Sequence, residues 1–200
     1  MKIGTLRLLL LTVLCLAACN ISNGQSATDS SRMKTFGNNS NSNRLLGAGS
    51  TLAYPLFSKL FAEYGKETHV MVNYQSIGSA DGVLQFTNKA VDFGDSDLPL
   101  TDSQIKKMGT PVLQIILFQS TGAKDSPKNG VIEAVIYKEQ NYDGRSLMRA
   151  QKLLKMLWWM VHDGQKYCAG FSYTQLSPAA VASAEKALKL ATFNGKPILQ

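Results

Sequence analysis

From Leu45 onward the chain switches repeatedly between two hydrophobic periods. Leu45-Leu46-Gly47-Ala48-Gly49 reads as a short strand entering a glycine turn. Ser50 and Thr51 then stand at a helix N-cap, with Pro55 in the first turn. Leu56, Leu60 and Tyr64 recur at helical spacing and carry that helix to about Thr68, after which Val70, Val72 and Tyr74 alternate as a strand does. Gly78-Ser79 precedes a second helix, roughly 80–89. Val91-Asp92-Phe93-Gly94 is a short strand, and Thr101-Asp102 cap a helix through about Met108. Val112 to Phe118 is a strongly apolar strand, 119–129 is a polar loop containing Pro127, and Val131 to Tyr137 is strand-like again. The longest periodic stretch is Arg145 to His162, where Leu147, Ala150, Leu154, Leu157, Trp158 and Val161 share one helical face. A last helix covers about Pro178 to Leu190. Strands alternating with helices predict an α/β fold with a largely parallel sheet flanked by helices.

The first 44 residues follow neither period. Lys2 and Arg7 precede an apolar run, Leu8 to Leu16, that is too short for the roughly 20 residues a spanning helix needs. A basic start and a short apolar stretch are the marks of a secretory signal. The run ends in Leu16-Ala17-Ala18-Cys19, similar to the bacterial lipobox, in which the Cys is lipidated. Residues 1–18 are therefore expected to be a lipoprotein signal peptide and Cys19 the lipidation site. Residues 19–44, rich in Ser and Asn, are expected to be a flexible tether that cannot bury enough surface to offset ordering entropy. The remainder, 45–200, is expected to form a single lobe. No later segment is long and apolar enough to span a membrane.

Composition narrows the function. At 44% hydrophobic residues the chain can build a core. The formal charge of +7 falls by two when the signal leaves with Lys2 and Arg7. That balance suits an anionic ligand or a membrane surface and is not a nucleic-acid signature. Cys15 leaves with the signal and Cys19 would be lipidated, so Cys168 stands alone as a small buried hydrophobe rather than a disulfide partner.

Two strand-to-helix turns carry the candidate chemistry: Gly49-Ser50-Thr51 and Gly78-Ser79-Ala80. A helix start leaves backbone N–H groups unpaired and partly positive, glycine lets an oxyanion approach, and a hydroxyl adds a donor. Two such turns at adjacent strand ends would converge on one small anion. The same residues also suit plain helix capping, and spacing alone does not separate the two. Asp92-Phe93-Gly94 spells a kinase motif, but no phosphate loop or catalytic-loop signature accompanies it. His69 and His162 lack a plausible nucleophilic partner, so no catalytic constellation is visible and the chain does not read as an enzyme. Arg149, Lys152 and Lys155 read as a solvated helix face.

Several stretches resemble, in order and spacing, the periplasmic phosphate-binding proteins of ABC importers. Gly47-Ala48-Gly49-Ser50-Thr51, Val72-Asn73-Tyr74-Gln75-Ser76-Ile77-Gly78-Ser79 and Val91-Asp92-Phe93-Gly94-Asp95-Ser96-Asp97 are similar to the N-terminal third of that family. Ile136-Tyr137-Lys138-Glu139-Gln140, the run Leu157 to Tyr167, and Phe193-Asn194-Gly195-Lys196-Pro197 are similar to its C-terminal third. The resemblance implies a periplasmic-binding-protein-like fold of type II, here essentially one lobe assembled from segments 45–115 and 116–200. It also implies that phosphate is held dehydrated by hydrogen bonds, with Thr51, the backbone N–H of Leu52, Ser79 and Asp97 contributed by this lobe. An aspartate facing an anion selects phosphate, whose remaining proton it can accept, over sulfate, which offers none.

The chain departs from that family in two respects. The second lobe, with the Arg, Asp and Ser-Gly-Thr run that close over phosphate, is absent, and the junction falls near Ile115 and Ile116; Ser120-Thr121-Gly122-Ala123 lies in a different matching segment. Acids also stand at Asp81 and Asp95, so that with Asp97 up to three carboxylates would surround an anion site. Asp81 suits its helix N-terminus facing outward; the three together would suit Mg or Ca, but no metal or other cofactor is expected. The expected function is a phosphate-binding lipoprotein of an ABC-type phosphate import system, impaired by loss of the second lobe. Its partners would be inorganic phosphate, the permease membrane subunits and, through the lipid, a membrane of the cell envelope. The alternative is a one-lobed remnant that binds no phosphate, or a surface interaction protein.

Overall fold

The computed structural model describes residues 43–121 and 130–199. Its elements are β1 (Arg44–Gly49), α1 (Tyr54–Thr68), β2 (Met71–Ser76), α2 (Ser79–Thr87), β3 (Phe93–Ser96), α3 (Asp102–Met108), β4 (Val112–Ser120) and β5 (Val131–Tyr137). Then follow α4 (Leu147–Val161), a 3-10 segment (Asp163–Cys168), β6 (Tyr173–Thr174), α5 (Pro178–Lys189), β7 (Thr192–Phe193) and β8 (Lys196–Pro197). The expected signal peptide, Cys19 and the tether up to residue 42 lie outside the described residues. Asn43 and Arg44 are described although they fall within the segment expected to be tether, and Arg44 opens β1.

Six strands form one sheet in the order β2-β1-β3-β5-β4-β6. β1 runs parallel to β2 and β3, while β3–β5, β4–β5 and β4–β6 pair antiparallel. The single α/β lobe is as expected, but its sheet is mixed rather than largely parallel. Helical crossovers return the chain to the same end for β1, β2 and β3. The stretch 121–130 between β4 and β5 is shorter than the roughly dozen residues a parallel crossover needs, so that pair must be antiparallel. Alternation sends side chains to two cores. Ile132, Ala134 and Ile136 of β5 join Leu45, Phe57, Leu60, Phe93 and Leu157 beneath α1 and α4. Val135 and Tyr137 face the opposite way, onto Ala48, Val83, Phe86 and Met108 beneath α2 and α3.

At Ile115 and Ile116, where the sequence led us to expect a junction, the fold is continuous. β4 runs unbroken through both residues, with a register shift between Ile116 and Phe118. That irregularity lets the consecutive residues Leu117 and Phe118 both reach the same core, each fully buried. It also takes the Leu117 carbonyl out of the ladder, and buried Gln165 satisfies it, Nε2 donating at 2.9 Å. The same side chain donates to the Met160 carbonyl at 2.7 Å and accepts from the Leu176 N–H at 2.9 Å.

α4 starts at the N-cap Ser146, whose hydroxyl accepts from the Arg149 N–H. Its buried face is broader than periodicity suggested: Leu153, Met156, Trp159 and Met160 join Ala150, Leu154, Leu157 and Val161, whereas Leu147 is exposed and Trp158 only partly buried. Cys168 is buried, as expected of a small hydrophobe, and burial pushes its thiol up to about 11. Ellman's reagent should therefore leave Cys168 unlabelled at pH 8 in the native protein and react promptly in denaturant. Fast native labelling would mean that the 3-10 segment opens.

Candidate functional site

The site is built where β1, β2 and β3 end on the same edge of the sheet. The turn after β1 carries Ser50, Thr51 and Leu52; the turn after β2 carries Gly78 and leads into Ser79 at the start of α2; the turn after β3 carries Asp97. These turns touch through backbone. The N–H of Gly78 donates to the Gly49 carbonyl at 2.9 Å. A Cβ on Gly82, one turn into α2, would lie 2.3 Å from the Gly49 Cα, so only glycine permits this approach. Gly78 itself has φ +95°, a conformation glycine adopts without strain.

All four residues expected to bind phosphate, Thr51, Leu52, Ser79 and Asp97, line one open groove of about 330 Å³ together with Gly78 and Asp81. The structure brings them together but does not use them as caps. The N-cap of α1 is Ala53, not Thr51, with no side-chain bond at the cap; Thr51 and Leu52 are exposed. Ser50 instead braces the turn, its Oγ accepting from the N–H groups of Leu52 and Ala53 at 3.1 and 3.4 Å. Ser79 is the first helical residue behind the N-cap Gly78, and its hydroxyl is hydrogen-bonded to the Asp97 carboxylate. Ser50 Oγ donates to the other Asp97 oxygen at 3.2 Å, so both Asp97 oxygens are held by hydroxyls. No Lys, Arg or His stands among the residues that line the groove.

Ser50, Tyr74 and Asp95 form the underside of this turn. The Asp95 side chain is fully buried; its Oδ2 accepts from the Ser50 N–H at 3.3 Å and its Oδ1 lies 2.5 Å from Tyr74 Oη. Tyr74 Oη also reaches the Ser50 carbonyl at 2.9 Å. Burial pushes the Asp95 carboxyl up to about 8, with Asp97 adding to the rise and the bonds from Tyr74 and Ser50 opposing it. Burial also raises the Tyr74 hydroxyl, helped by Asp95. Asp95 thus does not crowd the groove from the solvent side. Asp81 is exposed in the first turn of α2, as its place at a helix N-terminus suggests. Asp81, Asp95 and Asp97 do not face one point, and among the described residues no group of three His, Cys, Asp or Glu side chains is placed to hold a metal ion. Nothing in the strand alternation separates Tyr74 from an ordinary core tyrosine, which is why its role escapes sequence reasoning.

A second charged cluster sits at the opposite end of β3. Buried Asp92 accepts from the Leu46 N–H at 2.6 Å, from Arg149 Nε and Nη2 at 2.7 and 2.8 Å, and pairs with Arg145 at 2.7 Å. Arg149 is therefore part of a buried ion-pair network and not of a solvated stripe; Lys155 is exposed, and Lys152 donates to Asn43 Oδ1 at 2.5 Å. Asp92-Phe93-Gly94 serves packing: Phe93 is buried in the larger core. Nor is His162 isolated, since its Nε2 lies 2.9 Å from Glu185.

Residues 34–122 match the PBP superfamily domain. The chain is 35% identical over 111 residues to the phosphate-binding protein PstS of Xylella fastidiosa, covering 53% of this chain and 30% of that protein. It is 45% identical over 65 residues to the phosphate-binding protein PstS of Haemophilus influenzae, covering 32% of this chain and 20% of the relative. The matches thus span less than a third of these relatives' length. Among solved structures, a possible phosphate binding protein from Planctomyces limnophilus aligns with a TM-score of 0.56 at 6% identity, over 72% of this chain and 97% of that one. The likeness is one of fold. The chain thus matches the PBP superfamily domain over residues 34–122, is similar over part of its length to phosphate-binding proteins, and shares its α/β fold with a periplasmic-binding-protein-like lobe.

Proposed function

We propose that this chain is the phosphate-recognising lobe of an exported lipoprotein serving an ABC-type phosphate importer, and that it binds phosphate weakly because no second lobe faces it. The observation that carries this reading is the convergence of Thr51, Leu52, Ser79 and Asp97 on one groove. The Thr51 hydroxyl, with the Leu52 N–H and the Ser79 hydroxyl exchanging their bonds to Ser50 Oγ and Asp97 for the ligand, would take the anion's oxygens, and Asp97 would accept the proton that phosphate still carries. Its partners would be inorganic phosphate, permease membrane subunits and a membrane reached through lipid on Cys19. The role is binding, not catalysis.

The weakness follows from the groove's charge. Two carboxylates line it and no cation does. Charge-assisted hydrogen bonds contribute about 1.5–3 kcal/mol each, so two missing donors weaken binding by roughly two to four orders of magnitude. Calorimetric titration of residues 20–200, prepared free of phosphate, tests this at pH 7. Phosphate should bind weakly, sulfate more weakly still, and Ser79→Ala should remove the signal. Asp97→Asn should narrow the gap between the two anions, because an amide no longer requires a ligand proton. Submicromolar phosphate affinity would show that one lobe suffices and would overturn the impaired reading.

A second reading rests on the groove's rim. Leu52, Ile77 and Leu98 are 41%, 39% and 63% exposed beside it, an apolar fringe that suits a surface interaction protein. A folded sample that gives no heat with either anion would favour it.

A further inference from the structure

We propose that Asp95 is held as a neutral, proton-donating acid beneath the phosphate-binding turn, and that its ionisation at alkaline pH loosens that turn and repels the anion.

An ionised Asp95 leaves this cluster one proton short. Tyr74 has one hydroxyl hydrogen, yet its Oη lies within hydrogen-bonding distance of two oxygens, the Ser50 carbonyl at 2.9 Å and Asp95 Oδ1 at 2.5 Å. Were Asp95 ionised, both would be acceptors only, and one of them would face the tyrosine oxygen with no hydrogen between them. In this partly buried site that arrangement is repulsive. A proton on Asp95 Oδ1 resolves it. Asp95 then donates to Tyr74, Tyr74 donates to the Ser50 carbonyl, and Asp95 Oδ2 still accepts from the Ser50 N–H. The backbone of Ser50 is thereby gripped at both its carbonyl and its N–H. The carboxyl also occupies space that a side chain on Gly49 would need, since a Cβ there would fall 2.1 Å from Asp95 Oδ1.

The titratable groups facing Asp95 agree. They are Tyr74 from β2, Asp97 from the turn after β3 and Tyr173 from β6, whose hydroxyl burial, Asp97 and Asp95 together push up to about 12; Asp81 of α2 lies on the exposed side. Asp97 opposes a second negative charge, and burial raises the Asp95 carboxyl to about 8. The folded form keeps the Asp95 proton where the unfolded chain has lost it, so the contribution of Asp95 to stability is greatest in acid, falls as pH rises from about 4 toward 8, and levels off beyond.

The test follows the side-chain carboxyl carbon of Asp95 by NMR in aspartate-labelled protein, with the resonance assigned from Asp95→Asn, between pH 5 and 10. The expected result is a neutral-acid shift at pH 6 that moves only above about pH 7. A resonance that has completed its titration below pH 5 would overturn the proposal. Asp95→Asn is the second arm. Its amide can donate to Tyr74 and its carbonyl can accept from Ser50, so it mimics the neutral acid, and it should melt at or above the wild-type temperature at pH 8. A clear fall would count against the neutral form. The consequence for the anion rests on the phosphate reading above: relative to Asp95→Asn, the wild type should lose a further factor of about ten in phosphate affinity between pH 7 and 9. The carboxyl titration needs no phosphate, so a failure of that reading leaves it intact.

Discussion

Replacing Gly82 by alanine should unseat α2 from β1 and, on the proposed phosphate-binding reading, abolish anion binding with it. The added methyl would lie 2.3 Å from the Gly49 Cα, 2.6 Å from the Ala48 carbonyl oxygen and 2.6 Å from the Gly49 nitrogen. All three are backbone atoms, so no side chain can swing aside to relieve the contact. Overpacking of this kind costs about 1–3 kcal/mol, and a clash with backbone belongs at or above the top of that range. For a lobe of this size each kcal/mol shifts the melting temperature by about 2–4 °C, so a fall of roughly 6–12 °C is expected by scanning calorimetry. The functional loss should exceed the loss of stability. α2 brings Ser79 to the groove, and its displacement moves that hydroxyl away from Thr51, Leu52 and Asp97. A variant that melts normally would show that α2 can step back without strain, and the close approach would lose its explanatory value.

Asp92→Ala should be the most destabilising single side-chain truncation at a polar position, and it should act without touching the groove. The carboxylate is 4% exposed and is paired with Arg145, itself 7% exposed, and with Arg149. Its removal leaves two guanidinium groups in the interior and an unpaired N–H at Leu46, the kind of break that costs about 3–5 kcal/mol. Chemical denaturation should show the midpoint falling at an unchanged slope, while ligand affinity in the remaining folded protein stays as in the wild type. A loss below about 1 kcal/mol would mean that water reaches the arginines. The pairing is also positional, because it ties the first turn of α4 to the strand that leads into Asp97. Arg145 donates as well to the Tyr142 hydroxyl at 2.6 Å, which fixes the approach of the chain into α4.

These expectations draw unequally on sequence and structure. The elements were legible wherever a period ran long enough. α1, α3 and α5 lie within two or three residues of the bounds their spacing gave, and the capping box at Thr101 is present with Gln104. The sequence pattern sets β3 at Val91 to Gly94, two residues before its actual span Phe93–Ser96, because a short apolar run carries no register of its own. α4 was found, but its buried face was drawn too narrow: a helix lodged between the sheet and its neighbours hides more than one stripe. The pairing of Asp92 with Arg149 is not legible in the sequence, since the partners are 57 positions apart and Arg149 reads there as part of a solvated helix face.

What the sequence determined by itself was local: the helix and strand periods, the glycine turns, the hydroxyls that follow them, and the motifs shared with phosphate-binding proteins. From these alone Thr51, Leu52, Ser79 and Asp97 could be named. Only the tertiary structure decided direction and depth. It made the sheet mixed, carried β4 unbroken through Ile115 and Ile116, and set Asp97 under two hydroxyls. It also placed Asp95 beneath the turn rather than in the groove. The reason is physical: a carboxylate in a motif reads the same whether it faces water or the interior. Its proton, and so its charge, is set by desolvation and by neighbours such as Tyr74 that arrive from another strand.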